Sequence, residues 1–413
     1  MNILIICYYF YPNNRIASFR LESFAKYFQQ AGHKVTVIAE GDHDETRNWN
    51  GCEVHYIKNP VLPDSKLKEL VKRQKRWQIR RVLNALENRI FMHEICWRFR
   101  TAKKVKSLFL KEQFDVILST CGPMAPHHVA LNLRKKGYKF FWIADIRDEI
   151  TKHPYQRKST ARRLKSIEYK ILKNADLVTS VSKPIIDDFK TICPHDRYLE
   201  IKNGYDYEEY HGVNFQPKFT MAYTGNFEYY ITPKKWFKAF VELIKEGRIP
   251  SDSLIKIVGS RVYNRADYNE DEIKRNVIRI PEVPHDEAIR ISTTETDVLV
   301  MMHPSGRKGV YSGKVFDYLA SNKPILALYD PNDVVGELLA ETKAGFTVDE
   351  SDHEGIKEAI VKCYNIWKNR IVLNRDWDKI RQYSRRNQAR ILLDYLQHNL
   401  SAQHSDPVPP ILF

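Results

Sequence analysis

Short apolar runs that alternate with helical patterns constrain this chain most. Ile3-Leu-Ile-Ile-Cys-Tyr8 carries no charge and reads as a buried strand. A turn-rich stretch follows, Tyr11-Pro-Asn-Asn-Arg15, and then a helix is predicted over residues 17–31. Leu21, Phe24, Ala25 and Phe28 stand there at helical spacing. Gly32 occupies the expected C-cap, and Val35-Thr-Val-Ile-Ala39 is the next strand. A strand–helix–strand opening with uncharged strands implies a parallel sheet covered by helices on both faces.

The pattern recurs. Asp115-Val-Ile-Leu-Ser119, a helix over 125–136, Lys139-Phe-Phe-Trp-Ile-Ala144 and Leu177-Val-Thr-Ser-Val181 continue it to Ile201-Lys-Asn-Gly204. A second series starts at Phe219-Thr-Met-Ala-Tyr223, with the turn Thr224-Gly-Asn226 and a helix over 233–246. Strands at 255–258, 277–280, 298–301 and 324–328 complete it. At 413 residues, two domains of about 200 residues each are expected. The predicted fold is α/β with two Rossmann-like doubly wound domains. The first covers 1–205 with a basic helical insertion at about 66–110, and the second covers 206–376. Residues 377–400 read as one helix (Ile380, Tyr383, Ala389, Leu392, Leu393 and Leu396 on its apolar face) that crosses back to the first domain. Residues 401–413 form a Pro-rich, loose tail.

Composition excludes some function classes. No apolar run approaches the roughly 20 residues that span a bilayer. The apolar start lacks a charged leader and a small-residue cleavage site, so a cytoplasmic location is expected. The six cysteines are scattered singly and read as reduced, buried side chains. The formal net charge is +15, which attracts anions without choosing among them. Residues 66–106 hold fourteen Lys or Arg against three Glu. Trp77, Ile79, Leu83, Phe91 and Trp97 interleave with these cations, an amphipathic pattern suited to an anionic membrane surface. No RNA-binding signature accompanies the charge, and no nucleic-acid partner is expected.

Several segments resemble a known family, the retaining GT-B glycosyltransferases of the family-four type. The opening 1–37 is similar to that family's start. Asp145-Ile-Arg-Asp148 resembles a D-F-R-D segment, Asn203-Gly-Tyr-Asp206 an N-G-x-D, and Tyr223-Thr-Gly-Asn226 the turn that opens the second domain. The segment most specific to the family is Ser312-Gly-Lys-Val-Phe-Asp-Tyr-Leu-Ala320 followed by Lys323-Pro-Ile325. It resembles the donor-nucleotide segment S-x-K-x-x-E-Y-L-A…K-P-I. The family's glutamate pair would fall on Gly309 and Asp317, and Asn13-Asn14-Arg15 stands where many members carry a glycine-rich loop. The resemblance implies two domains facing a cleft, a nucleotide-sugar donor with UDP- or GDP-sugars foremost, a glycan or lipid-linked acceptor, and transfer with retention. Nucleotide-sugar epimerases or hydrolases on the same fold, a non-catalytic scaffold, and a nucleic-acid-binding protein supported by charge alone are the alternatives.

Sugar transfer must stabilise a departing diphosphate. Cationic side chains and helix N-terminal amides take that charge where no metal does, and none is expected here. On the donor side the candidates are Ser312, Gly313, Lys314, Val315 and Asp317, with Gly225, Asn226, Lys234, Lys235, Gly259, Val283 and His285. Asp317 is placed to accept a ribose hydroxyl, and Lys234 or Lys235 is the basic residue expected after the Gly225 turn. On the acceptor side they are Arg15, Arg20, Asp145 and Arg147. Asp148, His127 and Lys314 are the catalytic candidates, Asp148 and Asp145 as groups that orient a hydroxyl. A lone histidine is more often structural, and an Arg–Asp pair that merely fixes the loop competes with the acceptor reading. Asp42-His43-Asp44 formally matches a metal-binding D-x-D, a triplet common by chance, and is set aside.

Overall fold

A computed structural model describes residues 1–13, 16–59, 90–152, 158–227, 231–259, 274–303 and 308–404. Arg15 and most of the basic stretch, residues 60–89, lie outside them. The chain divides into two compact units: residues up to Lys202 together with the chain from Gln388 onward, and Asn203–Asn387.

In the first unit the strands run β1 (Asn2–Ile6), β2 (Lys34–Gly41), β3 (Glu45–Trp49), β4 (Cys52–Lys58), β5 (Val116–Thr120), β6 (Phe141–Asp145), β7 (Leu177–Ser180) and β8 (Tyr198–Glu200). Their order across the sheet is β3-β4-β2-β1-β5-β6-β7-β8. Every pairing is parallel except β3 with β4. Residues alternate between faces along each strand. Leu4 and Ile6 therefore join one core with Trp97, Val129 and Trp142, while Ile3, Ile5 and Cys7 join another. The second core is closed by the helix Ile16–Gln30 through Leu21, Phe24, Ala25 and Phe28. Each fully buried Phe or Leu contributes about 2 kcal/mol by burial alone.

The second unit contains β9 (Thr220–Thr224), β10 (Leu254–Val258), β11 (Val277–Ile280), β12 (Val298–Met302), β13 (Ile325–Leu328) and β14 (Gly345–Val348). All pair in parallel, in the order β11-β10-β9-β12-β13-β14. The chain moves outward from β9 to β11, then returns to the other side of β9. Cores on both faces bury it, Trp236, Phe237 and Phe240 on one and Phe316, Tyr318 and Leu319 on the other. The architecture is the doubly wound α/β one, twice.

Two details differ from expectation. The single helix over 377–400 is two, Trp377–Gln382 and Arg385–His404. They break at Ser384, where the backbone pairs with Tyr205: Tyr205 N–H donates to Tyr383 O, and Arg385 N–H donates to Tyr205 O at 2.9 Å. Ile380 and Tyr383 consequently pack in the second unit, while Ala389, Leu392, Leu393 and Leu396 pack in the first. The second detail is the hairpin β3–β4, which sequence periodicity did not reveal. β3 is nearly all solvent-facing, so it carries no apolar alternation. Its turn, Asn50-Gly51, has positive φ at both residues (49° and 80°), the geometry for which Asn-Gly is a strong hairpin signal.

Leu392 is fully buried in the first unit's core. Leu392→Ala is expected to cost about 3 kcal/mol in urea unfolding. A loss below about 1 kcal/mol would mean that the C-terminal helix is not part of that core.

Candidate functional site

In an open parallel sheet, ligands bind beyond the carboxyl ends of the strands, where the chain changes direction. In the second unit that point lies between β9 and β12. Beyond β9 comes Gly225 and beyond β10 comes Gly259, with φ of +100° and +85°, values at which L side chains are strained. The turn is stitched together by Gly225 N–H to Val258 O (2.8 Å) and Gly259 N–H to Ile280 O (2.9 Å). A Cβ on Gly259 would stand 3.8 Å from Gly225 N, so the two glycines lie side by side and keep the backbone open.

Lys314 fills the space over this turn. A Cβ on Gly225 would meet Lys314 Cε at 2.7 Å, and Lys314 Nζ stands 5.0 Å from the centre of the Tyr223 ring. The helix Gly313–Leu319 holds it there through Tyr318, one turn on. Thr224 N–H donates to the Tyr318 hydroxyl at 3.0 Å, and the Thr224 hydroxyl shares a second bond with it, also at 3.0 Å. Burial pushes the Tyr318 phenol up to about 12, so it stays protonated. This clasp ties Lys314 to the end of β9. Tyr318 was not among the expected site residues, although it lies four positions after Lys314, the spacing that puts both on one helix face.

The other expected donor residues are distributed unevenly. His285 Nε2 meets Asp317 Oδ2 at 3.1 Å, so these two come together. Asp317's carbonyl also accepts from the Tyr207 hydroxyl. Ser312 stands at the helix N-cap with its hydroxyl making no capping hydrogen bond, and Gly313 is half-buried beside it. Asn226 is exposed, and its carbonyl accepts from the Tyr223 hydroxyl at 3.0 Å. Val283 is half-buried. Lys234 and Lys235 are exposed in the first turn of the helix Lys234–Lys245, and Lys235 pairs with Glu350 at 3.4 Å. The Val315 side chain is wholly buried, in one core cluster with Phe316, Leu319 and Ala222.

The first unit's candidates sit around the end of β6. Asp145 is fully buried and Arg20 nearly so. The Arg20 guanidinium straddles the carboxylate, Nη2 to Oδ1 at 2.9 Å and Nε to Oδ2 at 3.2 Å. Thr179 and Thr120 hydroxyls donate to the same carboxylate at 2.8 and 3.2 Å, and Arg20 also reaches Lys202 O. Burial alone would raise the Asp145 carboxyl. Arg20, Arg147 and Thr179 outweigh it and hold the pKa below the ordinary value. Arg20 and Asp145 thus form an interior ion pair that locks the sheet end, instead of facing an acceptor. Arg147 is half-buried, with Nη2 donating to Cys121 O at 3.1 Å and its Nε buried without a partner among the described residues. Asp148 is exposed.

His127 is also interior. It is fully buried, and its Nδ1 shares a hydrogen at 2.8 Å with Ser119 Oγ, which accepts from Trp142 Nε1. Burial is the main cause lowering its pKa to about 3, so it remains a neutral imidazole across the neutral range. A group so held is a poor proton carrier at neutral pH. The described part of the basic stretch lies in the helix Ile90–Phe109, with Arg100 and Lys103 exposed. Asp44 is committed elsewhere, accepting from Lys58 N–H at 2.7 Å and pairing with Arg100.

The profile of a family described as Glycosyltransferase Family 4 matches residues 17–209. Among solved structures, the chain is similar to an E. coli trehalose-6-phosphate structure bound with UDP-2-fluoro glucose. There the TM-score is 0.65 at 11% identity, over 96% of this chain and 99% of that one. It is similar to a glycosyltransferase from Rickettsia africae (0.61, 13%, 97% and 99%). A lipopolysaccharide outer core galactosyltransferase in its apo form also matches (0.58, 9%, 97% and 100%). At these identities the likeness is one of fold. No curated protein matches in sequence.

One effect of mutation and one of pH follow from the first unit. Removing the carboxylate charge in Asp145→Asn leaves Arg20 buried and unpaired, expected to cost about 3–5 kcal/mol in denaturant unfolding. A cost under 1 kcal/mol would contradict the interior pairing. The unfolded chain protonates His127 below about pH 6.5 while the folded chain resists down to about 3. Stability therefore falls as pH drops through that window, by up to about 1.4 kcal/mol per pH unit. In His127→Gln the slope should shrink by about one proton, and an unchanged slope would show that the imidazole titrates freely.

Proposed function

We propose that this chain is a GT-B glycosyltransferase of the family-four type, that its second unit binds a nucleotide-sugar, and that the enzyme moves the sugar to a glycan or lipid-linked acceptor with retention. The observation that carries this reading is the Lys314 ammonium held over the Gly225–Gly259 turn at the switch point of a parallel sheet. In the transfer, the bond from the anomeric carbon to the diphosphate oxygen breaks and one to the acceptor hydroxyl forms. Negative charge grows on the departing diphosphate. Lys314, fixed by the Tyr318–Thr224 clasp, is poised to stabilise that charge without a metal ion and with little reorganisation. The two residues without side chains let a ligand approach the backbone closely, and Lys234 adds positive charge nearby along the chain.

Asp317, oriented by His285, is proposed to accept a ribose hydroxyl. The relative bound with UDP-2-fluoro glucose supports UDP over other bases, with GDP second. Arg147 and Asp148, at the carboxyl end of β6, are proposed to act on the acceptor side, Asp148 orienting the attacking hydroxyl. The likeness to a lipopolysaccharide transferase supports a role in surface-polysaccharide, capsule or lipopolysaccharide synthesis and transfer of a hexose or related sugar. Among the described residues no helix is long and apolar enough to cross a membrane. The basic helix Ile90–Phe109 is proposed to rest on an anionic membrane surface, at the inner face of the plasma membrane.

Thermal shift with UDP, GDP, ADP, CMP and dTDP tests the donor site. At a hundredfold excess over Kd, the matching diphosphate should stabilise the wild type by about 2.7 kcal/mol, several degrees in Tm. Lys314→Ala should lose most of that shift while its ligand-free Tm changes little. No stabilisation of the wild type by any of the five would refute the reading. Gly225→Ala should weaken the same diphosphate, because its Cβ displaces the lysine.

A further inference from the structure

The β3–β4 edge of the first unit's sheet holds a cavity of about 580 Å³ against the helix Ile90–Phe109. Small-molecule sites run from about 300 to 1,000 Å³. Residues alternate along β4, so His55 turns to the same face as Ile57, which shares a core with Trp97 and Leu108 of that helix. Thr46 stands opposite His55 in the hairpin, its hydroxyl 2.8 Å from the imidazole Nδ1. Thr46, His55 and Ile57 line the cavity from the sheet. Arg100, Lys103, Lys104 and Ser107 line it from the helix, at spacings that share one side.

The charges around this cavity do not cancel. Asp44 is committed to Arg100 and to Lys58 N–H, and Glu45 pairs with Arg47 at 2.7 Å. The ammonium groups of Lys103 and Lys104 have neither a hydrogen bond nor an ion pair among the described residues. Burial first, then Lys104, lower the His55 pKa, so the imidazole stays neutral and the lysines supply the charge. Two uncompensated cations on one wall draw in an anion. A carboxylate suits a guanidinium fork, but the guanidinium here, Arg100, is already taken by Asp44. A phosphate accepts from several directions at once, which suits two ammoniums and the hydroxyls of Ser107 and Thr46. Bare phosphate would leave most of the cavity unfilled, so the ligand is a phosphate that carries an organic group.

The same helix indicates which one. Phe99 is 63% exposed and Leu110, just past the helix end, 89%. Leu110 N–H still bonds to Lys106 O at 3.2 Å, so the helical turn continues to it. Steps of four, three and four from Phe99 through Lys103 and Lys106 to Leu110 form one stripe, apolar at both ends and basic between. Lys103 belongs to this stripe and to the cavity wall. A soluble sugar phosphate would leave Phe99 and Leu110 in water, whereas a phospholipid offers phosphate to the lysines and acyl chains to the apolar ends. β6, whose end carries Asp145 and Arg147, lies four strand spacings from β4, about 19 Å away, so this cavity does not place the reacting hydroxyl. We propose that it holds the headgroup phosphate of an anionic glycerophospholipid, bound by Lys103 and Lys104, while Phe99 and Leu110 enter the acyl region. The proposal rests on the reading that this helix lies on an anionic membrane surface, and it replaces a diffuse attraction by a defined lipid site.

Co-sedimentation of the full chain with vesicles tests this, using phosphatidylcholine alone and phosphatidylcholine mixed with phosphatidylglycerol. Wild type should bind the mixed vesicles and leave phosphatidylcholine vesicles unbound. The double variant Lys103→Gln/Lys104→Gln should bind the mixed vesicles about thirtyfold more weakly. Lys135→Gln/Lys136→Gln removes the same charge from exposed positions outside the cavity and should cost about threefold at most. Glycerol 1-phosphate should displace wild type from the vesicles better than sodium chloride at equal ionic strength. Phe99→Ser/Leu110→Ser should weaken vesicle binding about tenfold and leave calorimetric binding of glycerol 1-phosphate unchanged. All these side chains are exposed or half-buried, so each variant's ligand-free Tm should match that of the wild type. Equal losses in the two lysine pairs overturn the lipid site and leave the diffuse membrane reading standing. Vesicle binding that ignores Phe99 and Leu110, with glycerol 1-phosphate bound as tightly as the vesicles, overturns the lipid as occupant in favour of a soluble phosphate ester. Failure of wild type to bind the mixed vesicles removes the membrane reading and this site together.

Discussion

Parallel pairing is the constraint from which the rest of each unit follows. Strands such as Ile3–Ile6 and Val298–Met302 are buried on both faces, so helices must cover both sides, and a chain that covers both sides has to reverse its direction of travel once. That reversal leaves two neighbouring carboxyl ends whose connections leave in opposite directions. In the second unit these are β9 and β12. Gly225, Gly259, Lys314, His303 and Asp333 all lie in the stretches that leave β9, β10, β12 or β13. Catalytic chemistry is therefore concentrated by topology before any particular side chain is chosen.

The two units use buried charge in opposite ways. In the first, Arg20 and Asp145 neutralise each other completely, and Thr120 and Thr179 fill the remaining acceptor positions. Such a pair holds three strands and the helix Ile16–Gln30 in register, and it has nothing left to offer a substrate. In the second, Asp333 is as deeply buried but holds one backbone N–H. A saturated carboxylate is scaffold, whereas Asp333 keeps acceptor positions unfilled. Burial alone does not distinguish the two roles; the count of satisfied acceptor positions does.

This distinction also marks how far the sequence could be read. Sheet strands with uncharged apolar runs were legible because burial on both faces writes directly into composition. Glu45–Trp49 was not, because an edge strand facing solvent has no such signature, and only its Asn-Gly turn betrayed it. The break at Ser384 was hidden as well. The apolar positions 380–396 keep helical spacing across it, and the break coincides with a distant backbone pairing with Tyr205. Among site residues, Gly225, Gly259 and Lys314 were visible in local pattern, since positive φ calls for glycine and the lysine sits in a recognisable segment. Asp145, Arg20 and His127 have reactive side chains but inert surroundings, and surroundings come from partners up to 182 positions away, as Arg20 to Lys202 O shows. Asp333 and Tyr329 sit in Tyr329-Asp-Pro-Asn-Asp333, which reads as an ordinary turn.

The arrangement around Lys314 has an electrostatic logic that a cation alone would lack. A lone ammonium attracts any anion, and free phosphate would compete with a nucleotide diphosphate for it. Carboxylates on neighbouring segments, Asp317 beside His285 and Asp333 on Gly309 N–H, cannot strengthen phosphate binding; they repel it. Their contribution has to come from ligand parts that donate hydrogen bonds, which on a nucleotide-sugar are the hydroxyls of its two sugars. On the proposed reading, one positive position flanked by hydrogen-bond acceptors favours a molecule that carries both a diphosphate and hydroxyls. Selectivity of this kind depends on rigidity, because an acceptor that can turn away from an anion exerts no penalty. The backbone N–H of Gly309, shared by both oxygens of Asp333, and the imidazole of His285 on Asp317 supply that rigidity.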